Sequence, residues 1–246
     1  VQRWTAALNL YTWFGASGEG AGVHFLRNLA PDVGVQFQRS SVLRSAVLME
    51  WLNGEPLGAL VAGGDEASAV AHLSHAARAI KETTFRFPFM YRRVAPGLVR
   101  DLKICLSDDH AAQDKQLLQQ SIALLDHLIA TTRKEAVIHG DLGFSNVILT
   151  PNGPRIIDPK GFRADPAFEL AKALIGPYDR CDMTEYRDRI ARRGPAFAAA
   201  LDTSAQRIGQ WAAVILAHKS FFAARKRPDE AFLRPYLHEL LHISNG

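Results

Sequence analysis

Four side chains that could do chemistry lie among the apolar runs of one stretch of the chain. In VIHGDLGFSNVILTPNGPRIIDPKG, residues 137–161, these are His139, Asp141, Asn146 and Asp158. Carboxylate and amide oxygens suit a hard cation such as Mg²⁺, which takes few protein ligands when substrate phosphates supply the others. A second carboxylate near such an ion can accept the proton of an attacking hydroxyl. The residue types therefore indicate metal-assisted chemistry between a phosphate and a hydroxyl.

The tripeptide PNG predicts a β-hairpin that positions two of these side chains. Asn-Gly between the β-rich runs NVILT and PRIID is a strong hairpin signal. With the turn centred near Asn152 and Gly153, Asn146 faces Asp158 to within one residue. Asp141 then lies in the loop that enters the hairpin. The pattern brings an amide and a carboxylate together at one end of the hairpin, with a second carboxylate close by.

The segments around the hairpin predict an α+β protein. Residues 1–52 carry short β-like runs around a segment of helical spacing, which is typical of the remainder of a small lobe ending in a hinge. The turn-rich stretch LNGEPLGALVAGGDE indicates a lobe connection. In residues 53–246 helical periodicity dominates, as in EASAVAHLSHAARAIKETT, DKQLLQQSIALLDHLIATT, RIGQWAAVILAHKSFFAAR and EAFLRPYLHELLHI. We expect a small, truncated β-rich lobe and a larger, mainly helical one.

Composition narrows the class of protein. The chain has 246 residues, 48% hydrophobic and 22% charged, which is enough for one or two buried cores. Its net charge of +4 includes no long basic run, which argues against a nucleic-acid partner. No apolar stretch approaches the roughly 18 residues of a membrane span, and no signal peptide opens the chain. We therefore expect a cytoplasmic protein with no nucleic-acid or membrane partner.

The order H-x-D-x-x-x-x-N, followed twelve residues later by Asp, is the catalytic-loop and metal-loop pattern of the kinase fold. HGDLGFSN with IIDPKGFRADPAFELA resembles the aminoglycoside phosphotransferase family, and IDPKG with DPAFE is most similar to its branch of streptomycin 6-phosphotransferases and hydroxyurea-resistance kinases. The resemblance implies a bilobal protein-kinase-like fold that transfers the γ-phosphoryl group of ATP to a small-molecule hydroxyl. It implies Asp141 as catalytic base and Asn146 and Asp158 as Mg²⁺ ligands. We expect His139 to shape the loop rather than to act as an acid or base.

The same resemblance implies a nucleotide site near the N-terminus. VQRW corresponds to the strand that carries a phosphate-contacting Lys, which places Arg3 at that position, with Glu19 as its ion-pair partner. The alternative that Arg3 is a terminal surface residue stays open. VLMEWLNGE resembles the strand and hinge, so backbone groups of Glu50 and Leu52 are expected to meet adenine, with Met49 near the rear wall of the pocket.

Two departures from the family pattern bear on function. GASGEGAG follows the Arg3 strand and does not match the Gly-rich loop that covers phosphates. We interpret it as a loop and helix start, and expect the covering loop to be cut off, disordered or absent, since N-terminal sequence before Val1 is expected to be missing. Gly143 and Phe144 stand where family members often carry His or small polar residues, which leaves the acceptor open.

The acceptor is predicted only as a class. A cationic aminoglycoside needs acidic neighbours, and the candidates are Asp165, Glu169, Asp179, Asp182 and Glu185. Each can instead be a surface acid, and Asp165 before Pro166 is interpreted as the N-cap of a helix formed by PAFELAKALI. The positive net charge gives no support to a cationic substrate, so a sugar or amino alcohol stays open. Lys160 either neutralises phosphate or is a solvated loop residue.

A non-catalytic alternative also stays open. The unmatched Gly-rich loop and Arg3 would suit a nucleotide-binding, pseudokinase-like module. The joint presence of Asp141, Asn146 and Asp158 argues against it, because a module without chemistry does not need all three. A metal-dependent hydrolase is a third alternative, but the sequence lacks the His-rich or multi-Asp ligand set that such hydrolases use.

Overall fold

The computed structural model describes residues 3–5, 19–41, 46–108, 112–177 and 180–245. The chain forms two compact units, each made of two stretches. Unit 1 comprises Val1–Arg92 and Ala136–Glu169, and unit 2 comprises Arg93–Glu135 and Leu170–Gly246. The predicted lobes, residues 1–52 and 53–246, stay a prediction that this grouping does not test.

Unit 1 begins with an antiparallel sheet and a helix. The strands pair in the order β1-β3-β2 and are β1 (Arg3–Thr5), β2 (Phe37–Ser41) and β3 (Ala46–Met49). Arg3 lies opposite Leu48. Helix α1 (Glu19–Leu26) follows β1 in the chain, and its Phe25 side chain is fully buried. The helix begins inside GASGEGAG, as interpreted from the sequence; residues 15–18 lie outside the described residues.

The second sheet of unit 1 contains the predicted hairpin. Its strands run antiparallel in the order β4-β7-β8 and are β4 (Glu55–Pro56), β7 (Val147–Thr150) and β8 (Gly153–Ile156). Val147 pairs with Ile156, and the Ile157 N–H donates to the Asn146 carbonyl at 3.0 Å. The hairpin is confirmed, and Asn146 faces the residue just before Asp158, within the one-residue margin.

A further strand pair sets two loops side by side. Strand β6 (Ala136–Ile138) is antiparallel to β9 (Phe162–Ala164), and Ile138 lies opposite Phe162. The loop of residues 139–146 leaves β6 at this point, and the loop of residues 157–161 enters β9 there. The chain therefore brings HGDLGFSN, the predicted catalytic loop (residues 139–146), and IDPKG, the predicted metal loop (residues 157–161), to one end of a strand pair.

The remaining helices of unit 1 complete its core. They are α2 (Leu57–Ala62) and α3 (Glu66–Glu82). The Asp65 carboxylate accepts a hydrogen bond from the Ser68 N–H at 3.1 Å, which satisfies one of the unpaired donors at the start of α3. The apolar stripe of α3 is buried, and Leu73 is fully enclosed. Helix α3 packs against β6 and β8, the two strands that the loops follow in the chain.

Unit 2 is helical. Its helices are α4 (Ala95–Cys105), α5 (Ala112–Thr131), α6 (Ala171–Ile175), α7 (Met183–Leu201), α8 (Ala205–Ala217) and α9 (Arg234–Asn245), and a short strand, β5 (Arg92–Arg93), lies at the boundary with unit 1. Helix α8 packs against α5, α6, α7 and α9, and its Trp211 is buried. No helix among the described residues has the length and apolar character that crossing a bilayer requires.

Three predicted helical segments are less regular than their periodicity suggests. PAFELAKALI is a 3₁₀ turn (Pro166–Phe168) followed by α6, not one helix. After α8 the chain continues as a π-helical turn (His218–Phe222), and α9 is preceded by a 3₁₀ segment (Pro228–Leu233). Over so few residues, the spacing of the apolar side chains does not distinguish 3₁₀, α and π turns from one another.

Candidate active site

His139 holds the loop that follows β6 as a neutral imidazole. Its side chain is fully buried. The Asp141 N–H donates to His139 Nδ1 at 3.2 Å, so Nε2 carries the ring proton and donates it to the Ile157 carbonyl at 2.9 Å. Burial lowers the pKa of His139 to about 4. The prediction that this residue shapes the loop is confirmed.

Asn146 ties the position of Asp141 to the hairpin. The Asn146 side-chain Nδ2 donates to the Asp141 carbonyl at 2.8 Å, across the loop. Its backbone carbonyl accepts from Ile157, which precedes Asp158. Since Nδ2 is used in this bond, Oδ1 is the atom that remains to contact a cation, and Ser145 Oγ lies 3.4 Å from it. One amide thus links the predicted base to the strand that leads to the predicted metal loop.

Asp158 has a backbone conformation that is rare for a side-chain-bearing residue. Its φ is 50°, in the left-handed region, and such residues cluster at functional sites because the surrounding structure must hold them there. Its carboxylate is partly exposed and contacts the Lys160 ammonium at 3.2 Å. The metal loop therefore presents a carboxylate that already attracts a cation.

Asn146 and Asp158 offer donors that fit Mg²⁺. An amide oxygen and a carboxylate are hard ligands, and a nucleotide-bound Mg²⁺ uses one or two protein carboxylates with phosphates and water. Within the described residues no group of three or more His, Cys, Asp or Glu side chains is placed to hold a metal ion. Phosphate and water oxygens would complete the coordination of a cation held by these two side chains. The convergence of the two side-chain oxygens stays a prediction.

Glu169 holds the predicted catalytic loop through hydrogen bonds to its backbone. It is 3% exposed, and its two carboxylate oxygens accept hydrogen bonds from the N–H groups of His139 at 2.7 Å and Gly140 at 3.2 Å. Burial raises the pKa of Glu169 to about 7, although both hydrogen bonds favour the charged form. The sequence suggested this residue only as an acid near the acceptor. No local signal marks the role, because its partners lie about thirty residues away in the chain.

Glycines allow α1 to touch the metal loop backbone to backbone. A Cβ added at Gly22 would lie 2.2 Å from the Pro159 carbonyl oxygen, and one at Gly161 would lie 2.8 Å from the Ala21 carbonyl oxygen. Gly161 also has a φ of 66°, which favours glycine. The position of α1 and the position of the Asp158 loop are therefore mutually dependent.

The predicted hinge begins at the end of β3. The Glu50 N–H donates to the Gln36 carbonyl at 3.0 Å, and the contact of adenine with backbone groups of Glu50 and Leu52 stays a prediction. The Glu50 carboxylate accepts from the Gln36 N–H at 2.8 Å and forms a short ion pair with Arg155. Half-buried Met49 lies on β3, where its place on the rear wall stays a prediction.

Arg3 and Glu19 are placed only by their backbones. Arg3 begins β1 and Glu19 begins α1, as the sequence predicts. Their side chains lie outside the described part of the structure. The ion pair between them and the contact of Arg3 with phosphate stay predictions.

The acids proposed to face a cationic acceptor have mainly structural partners. Asp165 and Asp182 accept from backbone N–H groups at the starts of the helical segments that follow them, at 2.9 Å and 2.8 Å. Glu185 contacts Arg192 at 3.0 Å, and Asp179 lies outside the described residues. The N-cap interpretation of Asp165 is confirmed. An acidic acceptor site stays a prediction.

Solved structures define the class of the fold. A choline/ethanolamine kinase family protein from Mesorhizobium loti matches with a TM-score of 0.66 at 12% identity, over 98% of this chain and 79% of that chain. The choline kinase LicA from Streptococcus pneumoniae gives 0.65 at 11% identity, over 98% and 85%. A thermostable mutant of aminoglycoside phosphotransferase APH(4)-Ia, in a ternary complex with AMP-PNP and hygromycin B, gives 0.63 at 14% identity, over 99% and 85%. The protein has the α+β, bilobal protein-kinase-like fold that the sequence predicted.

The family follows from the sequence. The family model described as aminoglycoside/hydroxyurea antibiotic resistance kinase matches residues 17–229. The chain belongs to this family of small-molecule kinases, which confirms the resemblance seen in HGDLGFSN and IDPKG. No curated protein sequence matches the chain significantly.

Proposed function

We propose that the protein transfers the γ-phosphoryl group of ATP to a hydroxyl group of a small molecule. The observation that carries the proposal is the bond from Asn146 Nδ2 to the Asp141 carbonyl. It ties the proposed base to the proposed metal ligand and, through Ile157, to the strand end that precedes Asp158. An arrangement of this kind suits phosphoryl transfer, where catalysis is mainly positioning and electrostatic stabilisation.

In the proposed reaction Asp141 orients the acceptor hydroxyl and takes its proton. The hydroxyl oxygen forms a bond to the γ-phosphorus while the bond between that phosphorus and the β–γ bridging oxygen breaks, and ADP leaves with the electron pair. Bound Mg²⁺ would neutralise charge on the β- and γ-phosphates. Asn146 Oδ1 and the Asp158 carboxylate would hold it. His139 and Glu169 keep the loop in place and exchange no proton with the substrate.

Nucleotide binding is proposed for the β1–β3 sheet and the hinge. Arg3 would steady the phosphates, paired with Glu19, and the Glu50 carbonyl and Leu52 backbone would meet adenine beside Met49. Relatives in fold support ATP as the donor, since a LicA structure contains AMP and an APH(4)-Ia structure contains AMP-PNP. Because ATP is abundant in the cytoplasm, we also propose that location.

Two acceptor classes follow from different observations. The family description favours an aminoglycoside, and the resemblance of IDPKG and DPAFE to streptomycin 6-phosphotransferases favours streptomycin among them. An amino alcohol or sugar is favoured because Asp165, Glu169, Asp182 and Glu185 already have structural partners within the protein. Fold similarity to choline and ethanolamine kinases is in keeping with this second class.

The test is Mg²⁺-dependent ADP release from ATP with panels of aminoglycosides, amino alcohols and sugars. We expect one panel to stimulate turnover, and Asp141→Asn to lower kcat by about 10²- to 10⁴-fold, because general-base catalysis contributes about that much. Asp126→Asn, an exposed carboxylate on α5, is the matched control and should not change kcat. Equal turnover by Asp141→Asn and the wild type would contradict the mechanism. Mg·ATP binding without turnover for any acceptor would favour the non-catalytic module.

A further inference from the structure

The Lys160 ammonium forms an ion pair with the carboxylate that is proposed to hold the metal. Its Nζ lies 3.2 Å and 3.4 Å from the two carboxylate oxygens of Asp158. The side chains of Lys160 and Asp158 are 43% and 38% exposed, so a ligand can reach both. In this state the metal loop contains its own counterion.

The backbone of Lys160 is anchored to the catalytic loop. The N–H groups of Lys160 and Gly161 both donate to the His139 carbonyl, at 2.9 Å and 3.1 Å. His139 is two residues before Asp141 and contacts its N–H. The root of the Lys160 side chain is therefore fixed beside the loop that carries the base, while the side chain itself is long and rotatable.

The charges around this loop are mainly negative. The carboxylates of Asp141 and Asp158 and the ammonium of Lys160 are the charged groups that act on the buried His139 ring. If a divalent cation binds Asp158, the ammonium shares one carboxylate with it, and like charges at such range repel strongly. The ammonium would then need another anion, and the phosphates of a nucleotide held by that cation would supply one.

We propose that Lys160 is a phosphate-binding residue of the active site. The Lys160 ammonium neutralises Asp158 in the nucleotide-free protein. When the metal–nucleotide complex binds, the ammonium contacts an oxygen of the transferring γ-phosphoryl group instead. The γ-phosphoryl group is favoured because the Lys160 backbone is bonded to the loop that bears the base, where the hydroxyl attacks. Lys is a common point-charge ligand of phosphate. The inference rests on the proposed function and deepens it.

The test is calorimetric titration of Mg·AMP-PNP and Mg·ADP into the full chain and into Lys160→Met and Lys160→Arg. We expect Lys160→Met to weaken binding of Mg·AMP-PNP by about tenfold or more, as for a lost charged contact, and binding of Mg·ADP by less than about twofold. Lys160→Arg keeps the charge and should retain most of the affinity. Lys115→Met, at an exposed position of α5, is the matched control and should bind both nucleotides as the wild type does. Thermal unfolding checks that each variant is folded.

The other outcomes separate the two proposals. Equal weakening of both nucleotides would overturn the γ-phosphoryl contact, because it would show that Lys160 acts on the phosphates that both nucleotides share. Unchanged affinities in Lys160→Met, with a wild type that binds, would overturn the inference and leave the proposed function standing. A wild type that binds neither nucleotide in Mg²⁺ would overturn both.

Discussion

Glu169 and His139 are two buried titratable side chains that form hydrogen bonds with the predicted catalytic loop. Glu169 accepts hydrogen bonds from the backbone of His139 and Gly140, and the His139 ring bonds to Asp141 and Ile157. Burial raises the pKa of Glu169 from 4.5 to about 7 and lowers the pKa of His139 from 6.5 to about 4. Both residues therefore favour the neutral form inside the protein, and both couple the stability of the loop to pH.

The pH dependence of stability tests this pair. Between pH 4.5 and 6.5 the folded protein retains a proton on Glu169 that the unfolded chain loses, and lacks a proton on His139 that the unfolded chain binds. As pH rises, the first effect lowers the free energy of unfolding and the second raises it, so they nearly cancel. In Glu169→Gln only the His139 effect remains. We expect the stability of this variant, relative to wild type, to rise by about 2 to 3 kcal/mol across the window.

Urea unfolding at pH 4.5 and 6.5 measures the difference. Other titrating groups behave alike in both proteins, so subtraction isolates Glu169. Glu82→Gln, at an exposed position of α3, is the control and should give parallel curves with the wild type. Parallel curves for Glu169→Gln as well would show that Glu169 ionises normally in the folded protein.

At the scale of elements, the site depends on how closely α1 approaches the metal loop. Gly22 and Gly161 leave no Cβ between the backbones of α1 and residues 159–161. Phe25, on the same helix, packs edge-on against His139, with ring centroids 5.8 Å apart. One helix therefore contacts both the metal loop and the catalytic loop.

The contact predicts a large effect for a single methyl group. In Gly22→Ala the added Cβ would lie 2.2 Å from the Pro159 carbonyl oxygen, so α1 or the metal loop must shift. We expect a loss of about 1 to 3 kcal/mol in the free energy of unfolding, as for overpacking, together with weaker Mg·AMP-PNP binding. Gly97→Ala on α4 meets nothing within 4 Å and is the matched control, which should gain up to about 1 kcal/mol. Wild-type stability for Gly22→Ala in urea would contradict the contact.

The sequence predicted local elements better than long-range contacts. Asn-Gly specified the hairpin and its register to within one residue of pairing Asn146 with Asp158, because turn chemistry is local. The role of Glu169 was missed because its partners, His139 and Gly140, are distant in the chain. The bond between the Glu50 N–H and Gln36 was missed for the same reason, since the pairing of β2 with β3 sets it.

At the scale of the whole molecule, the proposed chemistry is concentrated in unit 1. All the residues assigned to nucleotide, metal and base lie in Val1–Arg92 or Ala136–Glu169: Arg3, Glu19, Met49, Glu50, Leu52, Asp141, Asn146 and Asp158. Unit 2 consists mainly of helices packed around α8. A nucleotide should therefore bind mainly to unit 1, although this unit is assembled from two distant stretches of the chain.

Hydrogen exchange followed by mass spectrometry tests whether the nucleotide binds mainly to unit 1. We expect Mg·AMP-PNP to slow amide exchange in peptides covering residues 46–52 and 136–161, because bound ligand stabilises the closed state of the backbone it contacts by mass action. Peptides from α8 in unit 2 should exchange at the same rate with and without nucleotide. In Asp158→Asn the protection of residues 136–161 should largely disappear at the same nucleotide concentration, since one of the two proposed metal ligands is lost. Protection confined to unit 2 would place the nucleotide elsewhere and contradict the assignment of the site.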